Sequence, residues 1–177
     1  MLLHDTGKGI KNYKLKTCIR KVYYNSGVIY KDKHNNDYDW EKHLYTKNLQ
    51  EFVNIMNEVM PGYILQHGKH DQDAYFFDLK ILPGTNLSKY PHTKEFKKRV
   101  RDFCVESIKK TFPYSHGDWH PDNILEHNGQ WTLVDWDWVG KRSLLETQQI
   151  INQRLKAIFG YEVDIVQKRE LLFMEKF

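Results

Sequence analysis

The chain has 177 residues, with 27 Lys and Arg against 23 Asp and Glu, a net charge of +4, and 40% hydrophobic and 14% aromatic residues. That composition carries enough apolar side chains for a core and excludes a disordered chain, while no apolar run approaches the roughly 18 residues of a membrane span. Met1-Leu2-Leu3-His4-Asp5 has no basic and apolar leader, and Cys18 and Cys104 stand too far apart for a C-x-x-C site or a disulfide framework, so the cytoplasm is the expected compartment and no membrane partner is expected.

In chain order, Tyr13-Lys14-Leu15-Lys16-Thr17-Cys18-Ile19 alternates loosely as a strand. Asn25-Ser26-Gly27 makes a turn into a second strand, Val28-Ile29-Tyr30-Lys31. Asn35-Asn36-Asp37 offers helix caps, and Leu44, Leu49, Phe52, Val53, Met56 and Val59 then recur at helical spacing until Pro61-Gly62 stops the run. Residues 63–65 and 74–81 read as strands separated by the polar segment 67–73, and Pro83-Gly84 breaks the chain. Phe96, Val100, Phe103, Cys104, Ile108 and Phe112 fall on one helical face ending at Pro113. The runs Lys97-Lys98-Arg99 and Lys109-Lys110 belong to the opposite, solvated face of that helix, so nucleic acid is not the expected partner. A loop at 115–123, a hairpin at 124–134, and helices over 144–159 and 163–177 complete the pattern. The order of elements predicts an α+β fold in two parts.

The segment from His116 to Asp137 concentrates the chemistry. Asn128-Gly129 is the strongest short-range hairpin signal in the chain. With those two residues as the turn, His127 faces Gln130, Leu125 faces Thr132 and Asn123 faces Val134, so Asp135 emerges beside Asn123 although 135 − 123 = 12 residues separate them. An amide oxygen and a carboxylate side by side suit a hard cation such as Mg²⁺ when phosphates and water complete its shell. Asp118, in the same loop, adds a second carboxylate. One acid to orient a hydroxyl and two oxygen ligands for metal form the minimal apparatus of phosphoryl transfer.

His116-Gly117-Asp118-x-His120-Pro121-x-Asn123, followed by Val134-Asp135-Trp136-Asp137, resembles the catalytic and metal-binding loops of the aminoglycoside phosphotransferase and choline kinase family, which has the protein-kinase-like fold. The resemblance implies Asp118 as catalytic base, Asn123 and Asp135 as Mg²⁺ ligands, His116 and His120 as loop-structuring residues and Asp137 as a supporting acid. Leu82-Pro83-Gly84-Thr85-Asn86-Leu87 looks like the family's segment after the hinge strand, where backbone groups near Lys80 and Leu82 would meet adenine. Val28 to Lys31 looks like the family's third strand, which makes Lys31 the contact to the α/β-phosphates and Glu41, or Glu51, its ion-pair partner. Gly7-Lys8-Gly9 could form a reduced phosphate-covering loop.

The likeness covers most of residues 7–140 and implies a two-lobed protein-kinase-like fold with a reduced C-lobe: N-lobe 1–82, C-lobe 83–177, together holding ATP. Only 177 − 137 = 40 residues follow Asp137, and Gly140-Lys141-Arg142-Ser143 lacks the acid that family members usually carry there. The expected activity is ATP- and Mg²⁺-dependent transfer of the γ-phosphoryl to a hydroxyl of an aminoglycoside, amino alcohol or sugar. Three alternatives stay open: a protein acceptor, a kinase-like nucleotide- or partner-binding module without turnover, and a zinc or iron hydrolase built on His116-x-Asp118-x-His120.

Overall fold

Five antiparallel strands in the first half of the chain form one sheet. The computed structural model describes residues 1–5, 10–24, 30–31, 37–38, 49–71 and 74–160. By its internal contacts the chain divides into two units, Met1–Leu82 and Pro83–Phe177.

In the first unit, β1 (Leu2–Asp5), β2 (Ile10–Lys14) and β3 (Cys18–Tyr24) run as a meander, β4 (Tyr30–Lys31) pairs with β5 (Asp37–Tyr38), and helix α1 (Leu49–Val59) precedes the hairpin of β6 (Ile64–Asp71) and β7 (Ala74–Lys80). The sheet order is β1-β2-β3-β7-β6, so the hairpin after α1 docks on β3. Strand alternation then decides which side chains share a face. Lys21 lies opposite Phe77, and Tyr23 opposite Tyr75. Phe77 packs edge-on to both Tyr23, with ring centroids 5.7 Å apart, and Phe52 of α1, at 5.3 Å. This face therefore receives α1 through its buried residues Phe52, Val53, Ile55 and Met56, each contributing about 1.5–3 kcal/mol on burial. On the other face Val22, Ala74 and Phe76 form a smaller cluster with Tyr13, and Arg20 lies over the Phe76 ring at 4.2 Å.

Several strand expectations shift. The run 13–19 is not one strand: it contains the turn between β2 and β3, closed by the Leu15 N–H donating to the Cys18 carbonyl at 2.9 Å. The third strand of the sheet is consequently Cys18–Tyr24, and Tyr30–Lys31 belongs to a separate two-stranded ribbon. Asp37 is strand, not helix cap. The polar segment after residue 66 continues β6 up to Asp71, because an edge strand needs ladder bonds on one side only and leaves its side chains in water. Gly7 and Gly9, Val28 and Ile29, Glu41 with Leu44, and the helix over 163–177 lie outside the described residues.

In the second unit, β8 (Thr85–Asn86) leads to α2 (Lys94–Thr111), which Thr93 caps by accepting the Phe96 N–H. β9 (Tyr114–Ser115) pairs with β12 (Gly140–Lys141). Between them β10 (Ile124–His127) and β11 (Gln130–Leu133) form the hairpin in the expected register, with β8 on the outer side of β10. Asn128 and Gly129 have φ of 49° and 80°, the left-handed pair a two-residue turn requires. Helix α3 (Leu144–Phe159) begins at a Ser143–Glu146 capping box and ends at Gly160 in the left-handed conformation. The basic runs of α2 face solvent and pair locally, Lys98 with Asp102 at 2.7 Å and Lys109 with Glu106 at 3.3 Å. Cys18 and Cys104 are buried free thiols. Among the described residues no helix is long and apolar enough to cross a membrane.

Candidate functional site

The loop from His116 to Asn123 is anchored at both ends. β9 pairs with β12, and the Arg142 guanidinium donates to the carbonyls of Ser115 at 3.1 Å and Trp138 at 2.9 Å. The Arg142 N–H adds a bond to the Pro113 carbonyl at 3.0 Å. Burial lowers the Arg142 pKa from its usual value, yet a guanidinium stays charged at any physiological pH. With the Gly140 carbonyl at 3.4 Å, three carbonyls converge on the guanidinium, and together with the Pro113 bond they hold segment 113–142 as a closed loop.

His116 fills the interior of that loop and is fully buried. Its Nε2 lies 2.8 Å from the Val134 carbonyl, which can only accept, so Nε2 carries the proton; Nδ1 then accepts the Asp118 N–H at 3.3 Å. The Trp136 ring closes over the imidazole edge-to-face, with centroids 4.6 Å apart. Burial pushes the His116 pKa down to about 4, against smaller raising contributions from the Val134 bond and the charges of Asp135 and Asp118. Both ring nitrogens are thus committed within the chain, which leaves none for a zinc or iron ion. Among the described residues no group of three or more His, Cys, Asp or Glu side chains is placed to hold a metal. Gly117 has φ of +82°, and a Cβ there would overlap the Trp138 carbonyl and lie 2.8 Å from the Trp138 Cβ, so only glycine fits between His116 and Asp118.

Asp118 and Asn123 meet directly. The Asn123 Nδ2 donates to Asp118 Oδ2 at 2.9 Å and to the Asp118 carbonyl at 3.1 Å. A carboxylate can only accept, so this bond fixes the amide orientation and leaves Asn123 Oδ1 without a hydrogen bond among the described residues. The short 3-10 turn Pro121–Asn123 sets the five-residue separation: His120 caps it by accepting the Asp122 N–H at 3.3 Å, and Asp122 is tied to β8 through Asn86, whose Nδ2 donates to the Asp122 carbonyl at 2.6 Å, and to the turn after β8 through the Ser88 hydroxyl. The Val134 N–H donates to the Asn123 carbonyl at 2.8 Å, the last bond of the hairpin, and Asp135 follows it. Asp135 has φ of 62°, rare for a non-glycine residue, and is exposed. Strained backbone of this kind, held by well-bonded surroundings, collects at functional sites.

The nucleotide-side expectations fall in the first unit. Lys31 pairs with Asp37 along the β4–β5 backbone, in a ribbon not hydrogen-bonded to the five-stranded sheet, and Glu41 lies outside the described residues. Glu51, the alternative partner, is an exposed residue in the first turn of α1. The Lys80 N–H is committed to the Tyr63 carbonyl at 2.9 Å, whereas Leu82 forms no hydrogen bond among the described residues.

Sequence reasoning passed over two residues. Lys21 sits on β3, on the face that receives α1, and is only 7% exposed. A lysine buried to that degree is rare unless its charge is paired, and its Nζ lies 5.7 Å from the Tyr23 ring centroid. Its signal was only partial: Cys18-Ile19-Arg20-Lys21-Val22-Tyr23-Tyr24 is rich in β-branched and aromatic residues but does not alternate. Arg154 of α3 places Nε 3.4 Å from Asp118 Oδ1; nothing in its helical spacing separates it from a solvated position.

Known folds extend this geometry. Three solved structures of WbdD, described in one case as a bifunctional kinase-methyltransferase, superpose on the chain with TM-scores of 0.56, 0.55 and 0.54 at 14%, 16% and 16% identity. The chain shares its fold with WbdD. The match takes in 99%, 95% and 95% of this chain but 45%, 40% and 42% of those chains, so it spans less than half of their length. No family model and no curated protein matches the sequence.

Proposed function

We propose that the chain has a protein-kinase-like fold, corresponding to the kinase portion of WbdD, and transfers the γ-phosphoryl of ATP to a hydroxyl. One observation carries the reading: Asn123 gives its amide nitrogen to Asp118, which keeps its oxygen out of that bond, and its backbone carbonyl accepts the Val134 N–H, one residue before Asp135. An amide oxygen and an exposed carboxylate are a hard, all-oxygen donor pair, which fits Mg²⁺ completed by phosphates and water. Bound there, Mg²⁺ would neutralise charge on the phosphates.

The chain's own residues supply positioning. Asp118 receives the hydroxyl proton as the acceptor oxygen bonds to the γ-phosphorus; the bond from that phosphorus to the β,γ-bridging oxygen breaks, and its electron pair leaves with ADP. Asn123 fixes the Asp118 carboxylate in one orientation, and His116, by bonding the Asp118 N–H, fixes the backbone beneath it. On the first unit, Lys21 replaces Lys31 as the proposed phosphate contact, because Lys21 is on the third strand of the sheet, and the Leu82 backbone is the proposed adenine contact in preference to Lys80. The acceptor is a small molecule with a hydroxyl group.

The test is a thermal-shift titration with ATP and ADP, with and without Mg²⁺, on wild type and Asp135→Ala, followed by ADP release across a panel of hydroxyl acceptors. Stabilisation grows as RT ln(1 + [L]/Kd), so even millimolar affinity is visible. A Mg²⁺-dependent shift absent from Asp135→Ala, with ADP release abolished in Asp118→Ala, is the expected result. No shift with either nucleotide rejects the reading, and a shift without ADP release makes the chain a nucleotide-binding module.

A further inference from the structure

Helix α3 brings one cation to Asp118. Arg154 Nε stands 3.4 Å from Asp118 Oδ1, while Oδ2 accepts from Asn123 at 2.9 Å. Both carboxylate oxygens are therefore engaged, but in different ways. Asn123 is a neighbour in the same loop, at ordinary hydrogen-bond length. Arg154 reaches across from another element through Nε, at a distance well beyond the ~2.8 Å of a charge-assisted hydrogen bond. Its side chain is 50% exposed against 27% for Asp118, and its Nη1 and Nη2 make no hydrogen bond among the described residues. The helix beneath it is firmly seated, with the capping box at Ser143 and with Ile151, Leu155 and Ile158 buried. The backbone at Arg154 is thus held while its guanidinium fork is not.

We propose that Arg154 recognises an anionic group on the acceptor, a phosphate monoester or a carboxylate near the reacting hydroxyl, and that its contact with Asp118 is the resting arrangement which this group displaces. The inference rests on the phosphotransferase reading and narrows its acceptor. A planar guanidinium with two unused nitrogens offers the bidentate geometry that phosphate and carboxylate oxygens take. Asp118 needs an oxygen for the hydroxyl proton, and Oδ1 is the one Arg154 now touches. An anionic acceptor draws the guanidinium off and releases that oxygen; a neutral acceptor leaves it in place, in competition with the hydroxyl. A cationic acceptor, such as an aminoglycoside or an amino alcohol, meets like charge beside the acid that must receive its proton. Of the acceptor classes the sequence suggests, a sugar-type alcohol with an acidic substituent fits these charges.

The experiment uses the full chain with saturating MgADP. Inorganic phosphate and glycerate are titrated separately and read by thermal shift, with glycerol and ethanolamine as uncharged and cationic controls. Wild type is expected to bind phosphate or glycerate and neither control. Arg154→Gln weakens that binding at least ten-fold, and Arg154→Lys restores part of it. Asp118→Asn, which removes the competing carboxylate, tightens it several-fold, an effect that a purely structural Arg154 cannot produce. Anion binding that is indifferent to Arg154→Gln, or weaker in Asp118→Asn, overturns the proposal, as does binding of ethanolamine in preference to the anions. The arm that separates phosphate from glycerate identifies which acid the site takes. If MgADP itself gives no shift in wild type, the phosphotransferase reading has failed and this inference falls with it.

Discussion

Two arginine–aspartate pairs in this chain are built for opposite purposes. In the five-stranded sheet, Arg20 and Asp78 lie directly opposite each other on β3 and β7 and bond through two nitrogens and two oxygens, at 2.7 and 2.8 Å. The Asp78 side chain is 8% exposed, and the Arg20 guanidinium is further covered by the Phe76 ring. At the loop, Arg154 and Asp118 make one contact of 3.4 Å with side chains 50% and 27% exposed. The first pair is locked by ladder register, bidentate geometry and low water access. The second joins a helix to a loop through one long contact and keeps donors in reserve. The same two residue types thus close a structure in one place and leave a site ready to be rearranged in the other.

The comparison depends on Asp118 being held by its loop rather than by Arg154, and Gly117 is where that can be broken most severely. Gly117→Ala places a Cβ against the Trp138 carbonyl at φ of +82°. Backbone strain and overlap with a rigid backbone atom together should cost about 3–5 kcal/mol. Urea unfolding of the variant measures this; a change below 1 kcal/mol would mean that the loop has room to relax and that its geometry is less fixed than Asp78's.

His116 gives the next effect, in a known pH window. Its folded-state pKa is lowered to about 4 from an ordinary 6.5. Above pH 6.5 the imidazole is neutral in both states and its contribution is complete. As pH falls from 6.5 toward 4 the unfolded chain takes up a proton that the folded chain refuses, so stability declines, by roughly 3 kcal/mol over the window. Below that both states are protonated and this slope ends. Denaturant midpoints from pH 7.5 to 4 should show the decline in wild type and a flatter profile in His116→Gln. Equal slopes in the two would place the acid-sensitive group elsewhere and remove the buried imidazole as the anchor of Asp118.

How far these features were legible depends on whether local chemistry or tertiary placement decided them. Asn128-Gly129 forces its turn, so the hairpin register, and with it the approach of Asp135 to Asn123, could be written down before any coordinates. Helices α2 and α3 were equally plain, because apolar residues at helical spacing and a Ser-x-x-Glu cap are local signals. The β2–β3 turn was missed because Leu15-Lys16-Thr17 contains no Gly, Pro, Asn or Asp; it is closed by a backbone bond instead. That miss put the expected third strand at Val28–Lys31, whereas the third strand of the sheet is Cys18–Tyr24. β6 was cut short because an edge strand with polar side chains looks like a loop. Arg154 could not have been found at all, since its meaning comes from Asp118, 154 − 118 = 36 residues away.

Removing Asp78 tests the locked pair. Asp78→Ala leaves the Arg20 charge partly buried against Phe76 with no counter-ion, and the expected loss is about 2 kcal/mol, reduced from the value for a fully buried pair because Arg20 retains some access to water. Thermal or urea unfolding of the single variants and of the Arg20→Ala/Asp78→Ala double variant gives the coupling energy. Additive effects would mean that register alone, without the bidentate bond, positions the two side chains.

The smallest expected effect is the one that separates the two pairs. Arg154→Gln keeps the helix, since Gln and Arg have similar helical preference, and removes only an exposed single-nitrogen contact. Surface pairs of this kind contribute between nothing and 1 kcal/mol, so stability should change by less than about 0.5 kcal/mol while Asp118 remains held by Asn123 and by the loop. A loss approaching that of Asp78→Ala would show that Arg154 ties α3 to the loop as Arg20 ties β3 to β7, and a guanidinium so engaged would not be available to an acceptor. A negligible loss leaves Arg154 as a charge that α3 brings next to Asp118 without being needed for folding, which is the physical condition for a residue whose partner is meant to change.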